Sequence, residues 1–422
     1  AIELKQGYFR GRGWLSVEEN RLLDLKNAME TEIQNLLGFW EKHVFCKGSD
    51  KVFYGKVDGD LIPYERANKH VVLAARLVWT FSAAYRILDG ENYKELARRV
   101  YDYFTLHFID GEYGGVFWEL NADGIPLDVR KCTYGQAFAI YALSEYYRTF
   151  NDQSALDEAI RIYSYLETNA YDREHKGYYE ILMQDWKFEP TEQVGDVNPY
   201  RAACKTMNTN LHMLEAYTSL YKVWKDQKLK EKLKEQIQVM TEKILNRTNW
   251  HYMLYFDRYW KSITDDISYG HDIEGSWLLW EAAECIGDEE VCSFVKPITI
   301  KMAEAVFNEG WHEAGGIIYE SRPDGEIKKH RSWWVQSEAV VGFFNAWQLT
   351  GDCKYIDAVE RLWKFINKEI IDHENGGWFA YAVSDGIRAN RVDGWTCPYH
   401  NARMCFEIME RVKQYTGYNF NL

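Results

Sequence analysis

No stretch of this 422-residue sequence approaches the roughly 20 apolar residues that a membrane span requires, and no lysine–arginine cluster gathers on a predicted face. Acidic residues outnumber basic ones, 64 to 50, for a formal net charge of −14. Nucleic acid and anionic membrane surfaces are therefore not expected as partners. The eight cysteines contain no CxxC pair and fall mostly within apolar helical patterns. Reduced, packed thiols in a cytoplasm are expected, in place of a disulfide frame or a zinc site. Ala1 to Lys5 leads into charged sequence and not into the apolar core of a signal peptide. No proline/serine-rich linker or charge run cuts the chain, which predicts one catalytic domain over residues 1–422. Asn246-Arg247-Thr248 is a glycosylation sequon by pattern only.

Aromatic residues are what the chain has in excess: 17 Trp, 30 Tyr and 20 Phe, 16% of the total. Many sit beside Gly and Asp instead of on periodic apolar stripes. Flat, amphipathic rings near acids and amides suit carbohydrate, whose C–H faces stack on them; a core built from large side chains is the plainer explanation. The glycine-aromatic loops also recur. Gly55, Gly115, Gly177, Gly316 and Gly377 are separated by 60, 62, 139 and 61 residues, and a degenerate copy, His251 to Phe256, lies in the long gap. Six units with a period near 62 result. Between the loops, apolar residues recur every three to four positions over 71–88, 136–150, 155–168, 208–223, 275–286, 336–349 and 355–371. Asp89-Gly90, Asn151-Asp152, Gly287-Asp288 and Gly351-Asp352 punctuate their ends. A helical hairpin of this kind cannot bury its apolar face alone. Six of them predict an all-α (α/α)6 barrel, with an open solenoid as the alternative.

In such a barrel, polar residues inside apolar helical runs are candidates for an axial site. His271 and Glu274 are three apart on one helical face, and Trp277 lies three further on. Arg76 sits within an apolar run, an expensive burial without a partner anion. Tyr134 opens the next helix. Asn208 and His212 are four apart, as are Trp334 and Glu338, while His400 follows a proline at a helix start, near Trp395. Each alone also fits a hydrogen-bonded core residue. Their comparable positions in successive units are what would bring them together. Imidazoles titrate near neutral pH and suit proton abstraction beside a carbonyl, and Arg76 would balance charge on an enediolate oxygen. Two imidazoles on opposite sides of C2 would epimerise a sugar without a cofactor.

These segments resemble the N-acylglucosamine 2-epimerase superfamily and, within it, the cellobiose 2-epimerases. The resemblance runs over roughly residues 36–412 and rests on Ala75 to Trp79, Tyr134 to Phe138, Lys205 to His212, Ser268 to Trp277, Trp333 to Glu338 and Cys397 to Met404. It implies an (α/α)6 barrel that epimerises the reducing-end sugar of a β-1,4-linked disaccharide at C2. It further implies His271 and His400 as the acid/base pair, His212 as the ring-opening histidine with Asn208 beside it, and Arg76 on the enediolate. Glu274 and Glu338 would orient histidines and bind hydroxyls; Tyr134, Trp277, Trp334 and Trp395 would contact the sugars. Asn210, Gly275 and Ser337 depart from the family pattern and leave the disaccharide open.

No metal is expected, and a monomer is expected over a dimer. The alternatives are an N-acylglucosamine 2-epimerase or mannose isomerase, an inverting glycoside hydrolase using Glu274 and Glu338, a metal-dependent isomerase, and a carbohydrate- or protein-binding role without catalysis.

Overall fold

The computed structural model describes residues 17–46, 51–188, 203–322 and 327–417. The start of the chain at Ala1 to Lys5 lies outside the described residues. Within them, the helices in chain order are α1 (Val17–His43), α2 (Val71–Leu88), α3 (Glu91–His107), α4 (Thr133–Phe150), α5 (Gln153–Tyr165), α6 (Met207–Val223), α7 (Gln227–Gln238), α8 (Tyr269–Ile286), α9 (Glu289–Glu309), α10 (Trp333–Thr350), α11 (Cys353–Glu369) and α12 (Tyr399–Thr416).

Their packing closes a ring. The even-numbered helices touch in sequence, α2 on α4, α4 on α6, α6 on α8, α8 on α10, α10 on α12, and α12 back on α2. The odd-numbered helices form a sheath: α3, α5, α7, α9 and α11 each pack on the helix before them, and α1 packs on α12. This is the expected (α/α)6 barrel, and the open solenoid is excluded. The expected absence of any membrane-length segment needs correction. α2 spans 18 residues with a mean hydropathy of 1.4, long and apolar enough to cross a bilayer, and 78% of it is buried inside the barrel. An inner helix meets protein on nearly every side, so it reads as apolar all round.

The turns between helices follow from two adjacent residues. Asp89, Asn151, Gly287 and Gly351 close inner helices in the left-handed conformation, with φ of 55°, 54°, 68° and 70°. Asp152, Asp288 and Asp352 then cap the following outer helices, each accepting from backbone N–H groups of the first turn. At the opposite end, short antiparallel ladders precede the inner helices. Lys131–Cys132 pairs with Ile181–Leu182, Lys205–Thr206 with Tyr255–Phe256, and Ile267–Ser268 with Glu320–Ser321. Each ladder ties the start of an inner helix to the hairpin of the next unit. All six inner N-termini thus lie at one end, with their partial positive charges toward it.

The glycine loops are built on a shared device. Gln136 accepts from Val116 N–H and donates to Val116 C=O, both at 2.8 Å, and Gln336 makes the same pair with Ile317. The adjacent Gly115 and Gly316, at φ +71° and +77°, have no room for a Cβ beside those amides. Asn210 holds the equivalent place in α6, accepting from Tyr178 N–H at 3.3 Å. Its departure from the family pattern belongs to this scaffold.

Candidate active site

A cleft of about 850 Å³ opens at the hairpin end of the ring. Arg76 (α2), Tyr134 (α4), Asn208 and His212 (α6), His271 and Glu274 (α8), Trp334 (α10), His400 (α12) and Trp395, in the loop before α12, all line it. Nine of the eleven residues singled out from the sequence therefore share one cavity. Glu338 and Trp277 do not reach its wall. Glu338 is four residues beyond Trp334 on α10, and Trp277 is six beyond His271 on α8. A rise of 1.5 Å per residue carries them roughly 6 and 9 Å deeper. Trp277 is 1% exposed and donates its indole N–H to Glu338 Oε2 at 3.0 Å. The expectation that it contacts sugar fails on this geometry; it is a floor beneath the cleft, and its far side borders a second cavity of about 370 Å³ at the other end of the barrel.

Each of the three histidines is held by its Nδ1. In His400 it lies 2.6 Å from Glu338 Oε1, and in His212 it lies 2.7 Å from Glu215 Oε2. An ionised carboxylate only accepts, so Nδ1 carries the proton in both rings and Nε2 is the basic nitrogen left for the cleft. His271 Nδ1 lies 2.7 Å from Ser268 Oγ instead. A hydroxyl donates or accepts, so His271 can hold its proton on either nitrogen. Trp334 stands between the two flanking imidazoles, its ring centroid 4.8 Å from His271 and 5.6 Å from His400. Desolvation, reinforced by His212, lowers the His271 imidazole to about 3. Desolvation with the nearby Arg76 and Arg403 cations takes His400 well below its ordinary value. Desolvation also lowers His212, against the pull of Glu215. At neutral pH all three are uncharged rings, the form that removes protons.

Arg76 is 3% exposed, and among the described residues its hydrogen bonds go to no carboxylate. Its guanidinium donates to the Tyr134 hydroxyl at 3.1 Å, the Cys397 sulfur at 3.4 Å and the Trp395 carbonyl at 3.5 Å, and lies over the Phe138 ring. Such neutral contacts leave its charge uncompensated beside the cleft. An anion there would supply the missing partner. Among the described residues the buried Asn208 Oδ1 has no hydrogen-bond partner either, and Asn208 lines the same wall.

Beneath these groups sits a cluster of which the sequence pointed to Glu274 and Glu338 but not to Arg403, Glu215 or Tyr399. Arg403 donates through one terminal nitrogen to Glu274 and Glu338, both at 2.7 Å, and through the other to Glu215 and the Tyr399 hydroxyl. All five residues are at most 2% exposed. Burial would raise the Glu215 carboxyl, but Arg403, His212 and Tyr399 hold it at about 2. Burial and the adjacent Glu338 push Glu274 well above the carboxylate range. Burial raises Glu338 as well, with Arg403 acting against it. Glu274, Glu338 and His400 offer ligand atoms within 4.8 Å of one another, yet the Arg403 guanidinium already bonds the two carboxylate oxygens involved. A second cation there would meet repulsion and would have to displace it.

Known proteins resemble this chain over most of its length. The family model of N-acylglucosamine 2-epimerase (GlcNAc 2-epimerase) matches residues 53–403. The chain is 41% identical to the cellobiose 2-epimerase of Bacteroides fragilis over 391 residues, which is 91% of this chain and 98% of that protein. It is 36% identical to the cellobiose 2-epimerase of Ruminococcus albus, over 89% of this chain and 96% of that one. The solved cellobiose 2-epimerase of Bacillus thermoamylovorans superposes with a TM-score of 0.86 at 37% identity, covering 93% of this chain and 99% of its own.

Proposed function

The chain belongs to the N-acylglucosamine 2-epimerase family, and from that premise we propose that it epimerises the reducing-end sugar of β-1,4-linked disaccharides at C2. It is an enzyme of the racemase and epimerase class. The observation that carries the reading is the grouping of three uncharged imidazoles and one uncompensated arginine around a single cleft. Its volume of about 850 Å³ lies within the range of small-ligand sites, and relatives named for cellobiose support a two-ring substrate.

The proposed reaction begins with the pyranose opening to its aldehyde, His212 relaying the proton from O1 to O5. Nε2 of His271 or His400 then removes the C2 proton. The C–H electron pair moves into the C1–C2 bond, and the carbonyl pair moves onto O1, giving a cis-enediolate. Arg76 faces that developing charge, a fixed electrostatic role, and the six helix N-termini favour it further. The opposite imidazole, which must enter this step protonated on Nε2, delivers that proton to the other face of C2, the aldehyde re-forms and the ring closes. One histidine gains a proton as the other loses one, exchange with water resets the pair, and no electron is gained or lost, so no redox cofactor is required. Trp334 and Trp395 supply stacking faces, and Tyr134, Asn208 and Glu274 supply polar contacts. Glu338 orients His400 from below. We further propose one domain over residues 1–422, acting as a monomer in a cytoplasm, where its eight unpaired cysteines stay reduced.

The test is incubation with cellobiose or β-1,4-mannobiose in deuterated water with EDTA, followed by proton NMR. Glucose–mannose exchange at the reducing end is expected, with deuterium entering at C2 and the glycosidic bond intact. Free monosaccharide would indicate hydrolysis, loss of turnover with EDTA would indicate a metal, and turnover of N-acetylmannosamine or mannose alone would move the reading to a sister activity.

A further inference from the structure

We propose that Arg403 is a positioning residue for this epimerisation: by joining Glu215, Glu274 and Glu338 it holds His212 and His400 in the tautomer that leaves Nε2 basic. The inference rests on the epimerase reading for its consequence, though not for its geometry.

Two histidine–carboxylate pairs on different helices converge on one guanidinium. His212 and Glu215 stand on α6, His400 on α12 and Glu338 on α10; both carboxylates, and Glu274 of α8, bond to Arg403. Arg76 does not duplicate this role, because its hydrogen bonds go to Tyr134, Cys397 and a backbone carbonyl. The other titratable groups around the cluster include Tyr134 and Tyr141 of α4, Tyr252 before α8, His271 and Glu281 of α8 and Tyr399 of α12. Among the described residues Arg403 is thus the one cation hydrogen-bonded to these three buried carboxylates. Without it, desolvation and mutual repulsion would force protons onto Glu215 and Glu338, as they already favour one on Glu274. A protonated Glu338 becomes an O–H donor toward His400 Nδ1. The ring would then carry its proton on Nε2, and the base facing C2 would be lost. Glu215 and His212 follow the same logic. A planar fork can serve three carboxylates at once, which a point ammonium cannot.

The experiment compares the wild type, Arg403→Met and Arg403→Lys, with folding checked by circular dichroism. Arg403→Met should lower kcat by at least about 100-fold while KM for the disaccharide changes by less than about threefold. The acid limb of its kcat–pH profile should move up by about one unit or more, because carboxylates without the cation ionise at higher pH. Arg403→Lys should keep the limb near its original place, lose kcat without a change in KM, and recover at least about tenfold over Arg403→Met. Proton NMR of the substrate-free protein adds a readout independent of turnover. The far-downfield imidazole N–H signals of His212 and His400 should vanish in Arg403→Met. A folded Arg403→Met with the wild-type limb and signals would overturn the proposal. If that variant does not fold, wild-type kcat and signals in Arg403→Lys would do so. Failure of the wild type to exchange C2 protons would remove the epimerase reading and leave the NMR comparison to decide the positioning.

Discussion

At the scale of single residues, depth along a helix separates groups that share a face. His271, Glu274 and Trp277 follow one another at three-residue steps on α8, yet the first meets the cleft, the second bonds Arg403, and the third lies under Glu338. Replacing Trp277 by Phe keeps the ring and removes the N–H bonded to Glu338. The expected result is a kcat reduced by about tenfold, as for a lost hydrogen bond to a charged group, with KM nearly unchanged because the indole does not face substrate. Initial-rate kinetics on cellobiose check this; a rise in KM alone would return Trp277 to the sugar-contacting set. Arg76, Asn208 and His212 were legible because each is polar within an apolar run. The same argument applies to Glu215 in Leu211 to Ala216 and to Arg403 in Ala402 to Phe406. They were overlooked because neither carries an obvious chemical role until the third dimension brings it beneath a histidine. Ser268 was likewise invisible, since its partner is fixed by the turn into α8 and not by spacing alone.

At the scale of elements, periodicity located the inner helices well and their first turns poorly. α8 begins at Tyr269 and α10 at Trp333, whereas the apolar pattern starts only at Gly275 and Gln336. The missing turns are the ones that face the cleft, where polar residues interrupt the stripe. Outer helices such as α3 and α7 were also missed, because their narrow buried stripe is diluted by exposed Lys, Glu and Arg.

The hairpins contribute their own titration. Glu180 is 1% exposed, accepts from the hydroxyls of Thr206 and Thr209 at 2.6 Å, and so ties a hairpin to the start of α6, which carries Asn208 and His212. Burial raises its carboxyl to about 7, against about 4.3 in an unfolded chain. A raised folded value means that the stability linked to this group is complete below about pH 4.3 and is lost as pH rises through 7. Glu180→Gln keeps an acceptor and removes the titration. Relative to the wild type, it should gain on the order of 1–3 kcal/mol between pH 5 and pH 8, read from urea midpoints. An equal difference at both pH values would show that Glu180 does not titrate in this range.

At the scale of the whole molecule, the barrel is closed by its first and last described helices. α1 lies against α12, and the Tyr415 hydroxyl donates to Glu18 Oε1 at 2.9 Å. Joining the chain across this seam and opening it at the exposed Gly351–Asp352 turn should preserve the fold. Activity within about tenfold of the parent is expected, since permutation succeeds at exposed turns that few contacts cross. A chain ending at residue 396 should have none. Circular dichroism and the C2 exchange assay distinguish the two outcomes.

That seam also orders events in time. α12 is the last of the six inner helices to leave a ribosome, and it brings both His400 and the arginine that anchors its carboxylate partner. Until it docks between α10 and α2, the other five inner helices stand without His400 on one side of the cleft. On the proposed reaction, turnover of sugar therefore waits for the ring of inner helices to close: assembly and competence arrive together.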